Sequence, residues 1–511
     1  MIVLLMLTIF IALIILAMIC ICRVFKVEFL REEDSAKAEL WRSKYQQITG
    51  ISILFAIIFV ICMYDNVESY TYAICVLAYL AGMKLVLEKL EIPMKAGNYV
   101  CGIVMFLAAL SSAFTEKWQI QALNHFFIFG AMGIFVIISY IDMEEKDIMQ
   151  WCRYVIVLGA QTVVSFVQCL IHLKYWRDST QEKRNNVKYI IIGVACGLPL
   201  LCVVLPLLLS ADDMFASMFK RILHLEWFGA GIHIFLMFMI AFCGFYGLAY
   251  SGTKISLCQM PRQEKKQEPV IAITASAMVL IVYLMFCVVQ IRYLFLGGIW
   301  KLPREFTYAE YARQGFFQLL FVSVINYIMV LVGTYRFKES KILRRLLVLI
   351  SACTYVMICS SFYRMLLYVK AYHLTFLRIV VLYFLVELAV VFAFLLAAMY
   401  AKKIKLLKYT VLTAIAFYLV FSFAKPDYWV AYYNTTVWQD MNSYEWYELK
   451  RDLSIDAAPV LYSYVPKNKD DFYEEVKQEY KTSIENQYEK MNLRRFNMSV
   501  YLAGRAVKKT Q

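Results

Sequence analysis

Apolar runs follow one another along the chain, at 1–22, 51–64, 70–87, 99–113, 120–141, 151–173, 189–210, 228–250, 270–294, 315–333, 346–367, 375–400 and 409–423. A helix crosses the roughly 30 Å hydrocarbon core of a bilayer in about 20 apolar residues, and lipid offers the backbone no hydrogen bonds, so such runs dictate a helical bundle. A soluble fold would have to bury a chain that is 62% hydrophobic and only 18% charged, which ordinary globular domains do not do. The predicted fold is all-α, a polytopic transmembrane bundle with a small C-terminal helical extracytoplasmic domain. Thirteen spans is the upper count and 12 the alternative, because several early runs are at or below the minimum of about 17 residues. The first run has neither a basic leader nor a small-residue cleavage site, so it is expected to remain as a span.

The formal charge of +14 suggests nucleic acid only until the basic residues are located. They fall in short loops between the runs, where lipid headgroups and insertion topology account for them. In the second half the basic loops are 174–188, 254–266, 336–345 and 402–408, which makes them cytoplasmic and leaves 211–227, 295–314, 368–374 and everything after about 424 outside. Counting back through 13 spans puts the basic loop 23–47 outside, against the same rule. Either one early segment does not cross, or Glu28, Glu32, Glu33, Asp34 and Glu39 blur the bias of that loop. Nearly all of the 14 cysteines lie inside apolar runs, as Cys62, Cys169 and Cys243 do. They read as small packing residues without metal-ligand spacing, and no cofactor or metal is expected.

Three regions are predicted: an N-terminal membrane-helix region 1–188, a core membrane domain 189–423 and a C-terminal soluble helical domain 424–511. In the last, Ser443 can cap a short helix through Leu453, and Asp456 another whose first turn tolerates Pro459. An amphipathic stretch runs from Asp470 to Met491, and a final helix from Phe496 to Val507.

Candidate chemistry centres on the helix that Thr307 and Glu310 start with a capping-box pattern. That helix delivers Asn326 into the bilayer. Glu387 lies 12 residues beyond Thr375, roughly 18 Å down its own helix, at comparable depth. An intramembrane pair Asn326–Glu387 is therefore expected, either as helix glue or on an ion or proton pathway. Nearer the outer surface, Gln290, Arg292 and Tyr293 end one run, Ser360, Ser361 and Arg364 end another, and Glu310, Arg313 and Arg378 lie at a similar level. Arg364 can snorkel to the headgroups or turn inward towards Glu310. Several guanidinium forks on one ledge make a phosphate-type anion site conceivable. Asp212 and Asp213 form a weaker candidate, more often a solvated cap than a metal site. The five histidines are scattered over different spans and loops, and no phosphate-cradling glycine loop, nucleophile elbow or zinc-protease signature is present.

The stretch Phe306–Phe317, with Gln290–Phe295 before it and Ser361–Arg364 and Leu374–Arg378 after it, resembles a bacterial family of polytopic membrane proteins carrying a domain of unknown function of the DUF4153/DUF4173 type. Ser210-Ala-Asp-Asp213 and Asp456-Ala-Ala-Pro459 also look like that family's pattern, whereas Lys425-Pro-Asp-Tyr-Trp429 stands where a plainer asparagine-proline-aspartate turn is expected. The resemblance covers about residues 190–510. It implies a bacterial plasma (inner) membrane location and carries no catalytic residue with it. The leading expectation is a non-enzymatic multi-pass protein in envelope-associated sensing, assembly or scaffolding, with the lipid bilayer and a protein partner of the C-terminal domain as its contacts. One alternative is a secondary transporter with a polar pathway near Asn326 and Glu387. Another is a membrane-embedded enzyme acting on a lipid-linked substrate, which needs Asp212 and Asp213 close to Arg292 and Arg364.

Overall fold

The structure, a computed structural model, describes residues 36–66, 69–142, 148–166, 168–172, 226–255, 267–292, 316–401, 406–437, 441–466 and 470–509, together with 28–29, 258–259 and isolated positions between 204 and 215. The chain divides into two compact units. One comprises Met1–Ala113, Gln119–Pro261 and Asn492–Asn497, the other Phe114–Trp118, Arg262–Met491 and Met498–Gln511.

In the first unit the helices are α1 (Ala36–Ser43), α2 (Tyr45–Met63), α3 (Thr71–Lys89), α4 (Ala96–Ser111), α5 (Trp118–Tyr140), α6 (Ile148–Ser165), α7 (Gln168–Ile171) and α8 (Glu226–Ile255). α8 packs on α2 and α6, α2 on α3, and α3 on α4. Tyr79 of α3 meets Phe55, Phe135 and Phe245 edge-on, which ties four helices into one aromatic core. α8 approaches the end of α6 over Gly247, where a Cβ would lie 3.0 Å from the Ser165 carbonyl oxygen, so only glycine allows that contact without adjustment.

A short antiparallel pairing of β1 (Glu28–Phe29) with β2 (Cys258–Gln259) brings the basic loop 23–47 to the C-terminal end of α8. Glu28 and Phe29 of that loop therefore lie beside Cys258 and Gln259, just after α8. α5 ends beside Ala249 and Gly252 near the end of α8, and His172, after α7, lies against Tyr45 at the start of α2 and within 2.8 Å of the Tyr246 hydroxyl. α6 is not among the nine described helices long and apolar enough to span.

In the second unit α9 (Pro269–Gln290), α10 (Phe316–Arg336), α11 (Lys341–Tyr372), α12 (Phe376–Tyr400) and α13 (Leu406–Phe423) form a bundle. α11 is its centre, packed on α9, α10 and α12, and α12 packs in turn on α13. The side chain of Ser340 caps the start of α11, and His373, with φ 63, ends it. α9 buries Ala272, Ser276, Leu280, Cys287 and Gln290 while exposing Ile271, Met278, Val282 and Met285. Small and polar residues facing protein, with large aliphatic ones facing outward, are the pattern of a helix solvated by lipid.

After α13 the chain bends by 60° into α14. α14 (Pro426–Val437), α15 (Ser443–Asp452), α16 (Ala458–Leu461), α17 (Asp471–Lys490) and α18 (Met498–Lys509) make a C-terminal helical module. Trp446 is fully buried at its centre against Tyr473 and Tyr480, and burial pushes the Tyr473 phenol up to about 12. Asn442, one residue before the expected Ser443, caps α15 in a reciprocal box with Glu445, and Asp470, where the expected amphipathic stretch starts, caps α17. The polytopic helical architecture is as expected, although the runs at 1–22 and most of 189–210 lie outside the described residues.

Candidate functional site

The outer tier contracts to one buried cluster. Ser360 and Arg364, one turn apart on α11, meet the last residue of α9, so that Gln290 Oε1 accepts from Ser360 Oγ at 2.7 Å and from Arg364 Nη2 at 3.0 Å. Gln290, Ser360 and Arg364 are all buried, and Arg364 is only 6% exposed. It has turned inward rather than snorkelled, with an amide oxygen as its described acceptor. Ser361 beside it is buried and its hydroxyl has no hydrogen-bond partner among the described residues. Arg292 is exposed. Tyr293, Glu310, Arg313 and the Thr307 capping box lie outside the described residues. Arg378 does not join the cluster. Its guanidinium donates to the Tyr372 and His373 carbonyls and lies 4.2 Å from the centroid of the Tyr368 ring. It thereby satisfies the carbonyls that the end of α11 leaves open.

Asn326 and Glu387 are not brought together. Asn326 is fully buried, accepts from the Tyr283 hydroxyl at 2.6 Å and donates to Thr354 Oγ1 at 2.9 Å. Glu387 follows Tyr383 by one turn on α12, and Tyr383 donates to the Phe417 carbonyl of α13 at 2.8 Å. Phe394 stacks on Tyr409 along the same stripe, so Glu387 faces α13 while Asn326 is held between α9 and α11. Asp212 is exposed and accepts from the backbone N–H of Met214 at 2.8 Å and of Phe215 at 3.3 Å, a local turn cap. Asp213 lies outside the described residues. Among the described residues no three His, Cys, Asp or Glu side chains converge as metal ligands.

One buried charged site among the described residues escaped sequence reasoning. The segment Phe114–Trp118, between α4 and α5, belongs to the second unit, where it is fastened into the C-terminal module. Lys117 Nζ lies 2.8 Å from Asp427 Oδ2 and 3.3 Å from the Asp452 carbonyl oxygen, and 4.8 Å over the Phe376 ring. Lys117 is 5% and Asp427 0% exposed, and Asp427 Oδ2 also accepts from the Ser454 N–H at 2.7 Å. Beside this pair Asp456 accepts from the Thr115 hydroxyl and, at 2.9 Å, from the Glu116 N–H. Burial raises the Asp456 carboxyl above the ordinary carboxylate value, and these hydrogen bonds pull it partly back. Ser499 of α18 donates to the Phe114 carbonyl at 2.7 Å. Asp456 is thus a fastening residue and not a helix cap. Asp427 and Asp456 stand in two stretches that the sequence singles out, Lys425–Trp429 and Asp456–Pro459; only their partners were hidden.

These arrangements hold helices and a loop in place, and among the described residues none pairs a nucleophile with a base. The fold defines a polytopic helical membrane protein with a helical C-terminal module fastened to the short loop between α4 and α5. The chain belongs to the family of the domain of unknown function DUF4153, whose profile matches residues 102–464 and so spans the fastened loop and both of its aspartates. No curated protein and no solved structure matches it.

Proposed function

We propose that this protein is an assembly or scaffold protein of the bacterial plasma membrane, with α14–α18 held outside the cytoplasm to dock a protein partner. The buried Lys117–Asp427 pair is the observation that carries the reading. A buried pair is a costly way to gain stability but a specific way to fix geometry, and here it fixes where a module sits on a membrane loop. The sidedness follows from charge. In the second unit Arg336, Lys338, Lys341, Arg344 and Arg345 gather at the end where α10 passes to α11, opposite the module, and such an end faces the cytoplasm. The hydrogen bonds that tie Asn326 to Tyr283 of α9 and Thr354 of α11 support helix glue over a transport path.

The test combines photocrosslinking from Tyr444 and Phe472, both exposed on the module, with proton-gradient-driven flux of the same full-length protein in proteoliposomes. A discrete protein adduct without flux is expected. Flux abolished by Glu387→Gln would replace the scaffold with a transporter.

A further inference from the structure

α14 has three different sides. Val430 belongs to the hydrophobic core of the membrane bundle, whereas its neighbour Ala431 belongs to the core of the C-terminal module. The helix therefore lies at the level where one core gives way to the other. Its height is fixed twice. It begins three residues after α13 ends, at 60° to it, and Asn434 clamps it to the turn between α11 and α12. Asn434 Oδ1 accepts from the Leu374 N–H at 2.9 Å and Nδ2 donates to the Leu374 carbonyl at 2.8 Å. The ends of two spans, α11 and α12, and of α13 thus lie beside α14.

The third side is uncovered and aromatic. Trp429 is 51% and Tyr432 49% exposed, and with Tyr428 they form a continuous cluster whose ring centroids lie 5.7 to 6.5 Å apart. Trp and Tyr rings carry an apolar body and a polar tip, and they partition to the headgroup level of a bilayer. A helix bent away from its span at that level, with a ring cluster on its free side, is an interfacial helix.

We infer that α14 lies in the headgroup layer, with the Tyr428–Trp429–Tyr432 face in contact with phospholipid. The occupant is the bilayer already required by α11 and α12, since α14 is clamped to the turn between those two spans. This contact sets the tilt and depth of the module above the membrane, and it holds on whichever side of the membrane the module stands, independently of the scaffold reading.

The test places a photoreactive benzoylphenylalanine at 429 or at 432 of the full-length protein in phosphatidylcholine–phosphatidylglycerol vesicles, with adducts identified by mass. Val282, exposed on the lipid face of α9, marks full lipid contact, and Asn486, exposed on α17, marks solvent. Lipid adducts at 429 and 432 should approach the yield at 282 and be lost at 486. Protein adducts at 429 and 432, or yields as low as at 486 while 282 reacts, would overturn the inference.

Discussion

On α9 the exposed positions are Ile271, Met278, Val282 and Met285 and the buried ones include Ala272, Ser276 and Gln290; on α17 the exposed positions are Glu475, Gln478, Thr482 and Asn486 and the buried ones Tyr473, Val476, Tyr480 and Ile484. The two helices belong to one unit and face opposite solvents. In lipid, apolar burial drives nothing, so helices associate through close packing and polar contacts such as Asn326–Thr354. In water the module folds on its aromatic core, and a buried charge such as Asp427 must be matched or it destabilises. The same kind of group, a buried polar side chain, is therefore glue in the bundle and a fastening in the module.

The sharpest way to break this comparison is Lys117→Met. It leaves Asp427 buried without its cation and should destabilise the docked module by about 3–5 kcal/mol, read as early protease cleavage within α14–α18 while the bundle stays resistant. Adding Asp427→Leu should recover most of that loss, because removing both charges also removes the unmatched one. If the single variant is as resistant as the parent, the pair does not fasten the module. Next in size is Gly504→Ala. The new methyl would run into the root of the Tyr488 ring, where α18 crosses α17, and this overpacking should cost about 1–3 kcal/mol. Tryptophan fluorescence during thermal unfolding checks it, since Trp446 reports on that core. In the bundle, Asn326→Ala strips the Tyr283 and Thr354 hydroxyls of a partner, yet interhelical bonds in lipid are worth only about 1 kcal/mol. Denaturation in mixed micelles should show a loss smaller than for Lys117→Met; an equal or larger loss would erase the distinction between glue and fastening.

What could be read in advance follows the same division. Span positions are written in local composition, so runs such as 270–294 and 375–400 reappear as α9 and α12, and Asp470 announces the start of α17 three residues ahead of the N–H it caps. Rise along a helix was also legible, since residue count measures it. Azimuth was not: Glu387 shares a stripe with Tyr383 that faces α13, and only packing decides which side of a uniformly apolar helix faces which neighbour. Nor could the partner of Asp456 be foreseen, because Thr115 stands 341 positions away and nothing near either residue names the other. Arg364 was legible as a choice between lipid and interior, and Gln290 supplies the interior acceptor that decides it.

Asp456 offers the finest test, because its effect is one of pH and not of folding. Burial raises its carboxyl in the folded state, so protonation is more favourable in the folded module than in the unfolded chain. Its contribution is then fully present below the unfolded value of about 3.9 and is lost as pH rises through the higher folded value, with no slope beyond. Asp456→Asn keeps an oxygen for the Glu116 N–H and cannot titrate, so it should remove this acid-side component while changing stability near neutrality by less than about 1 kcal/mol. The difference between parent and variant melting temperatures, followed against pH, isolates that residue from every other carboxylate of the module. A difference that does not vary with pH would mean that the buried carboxyl titrates as it does in water, and that the fastening around Asp456 is open to solvent.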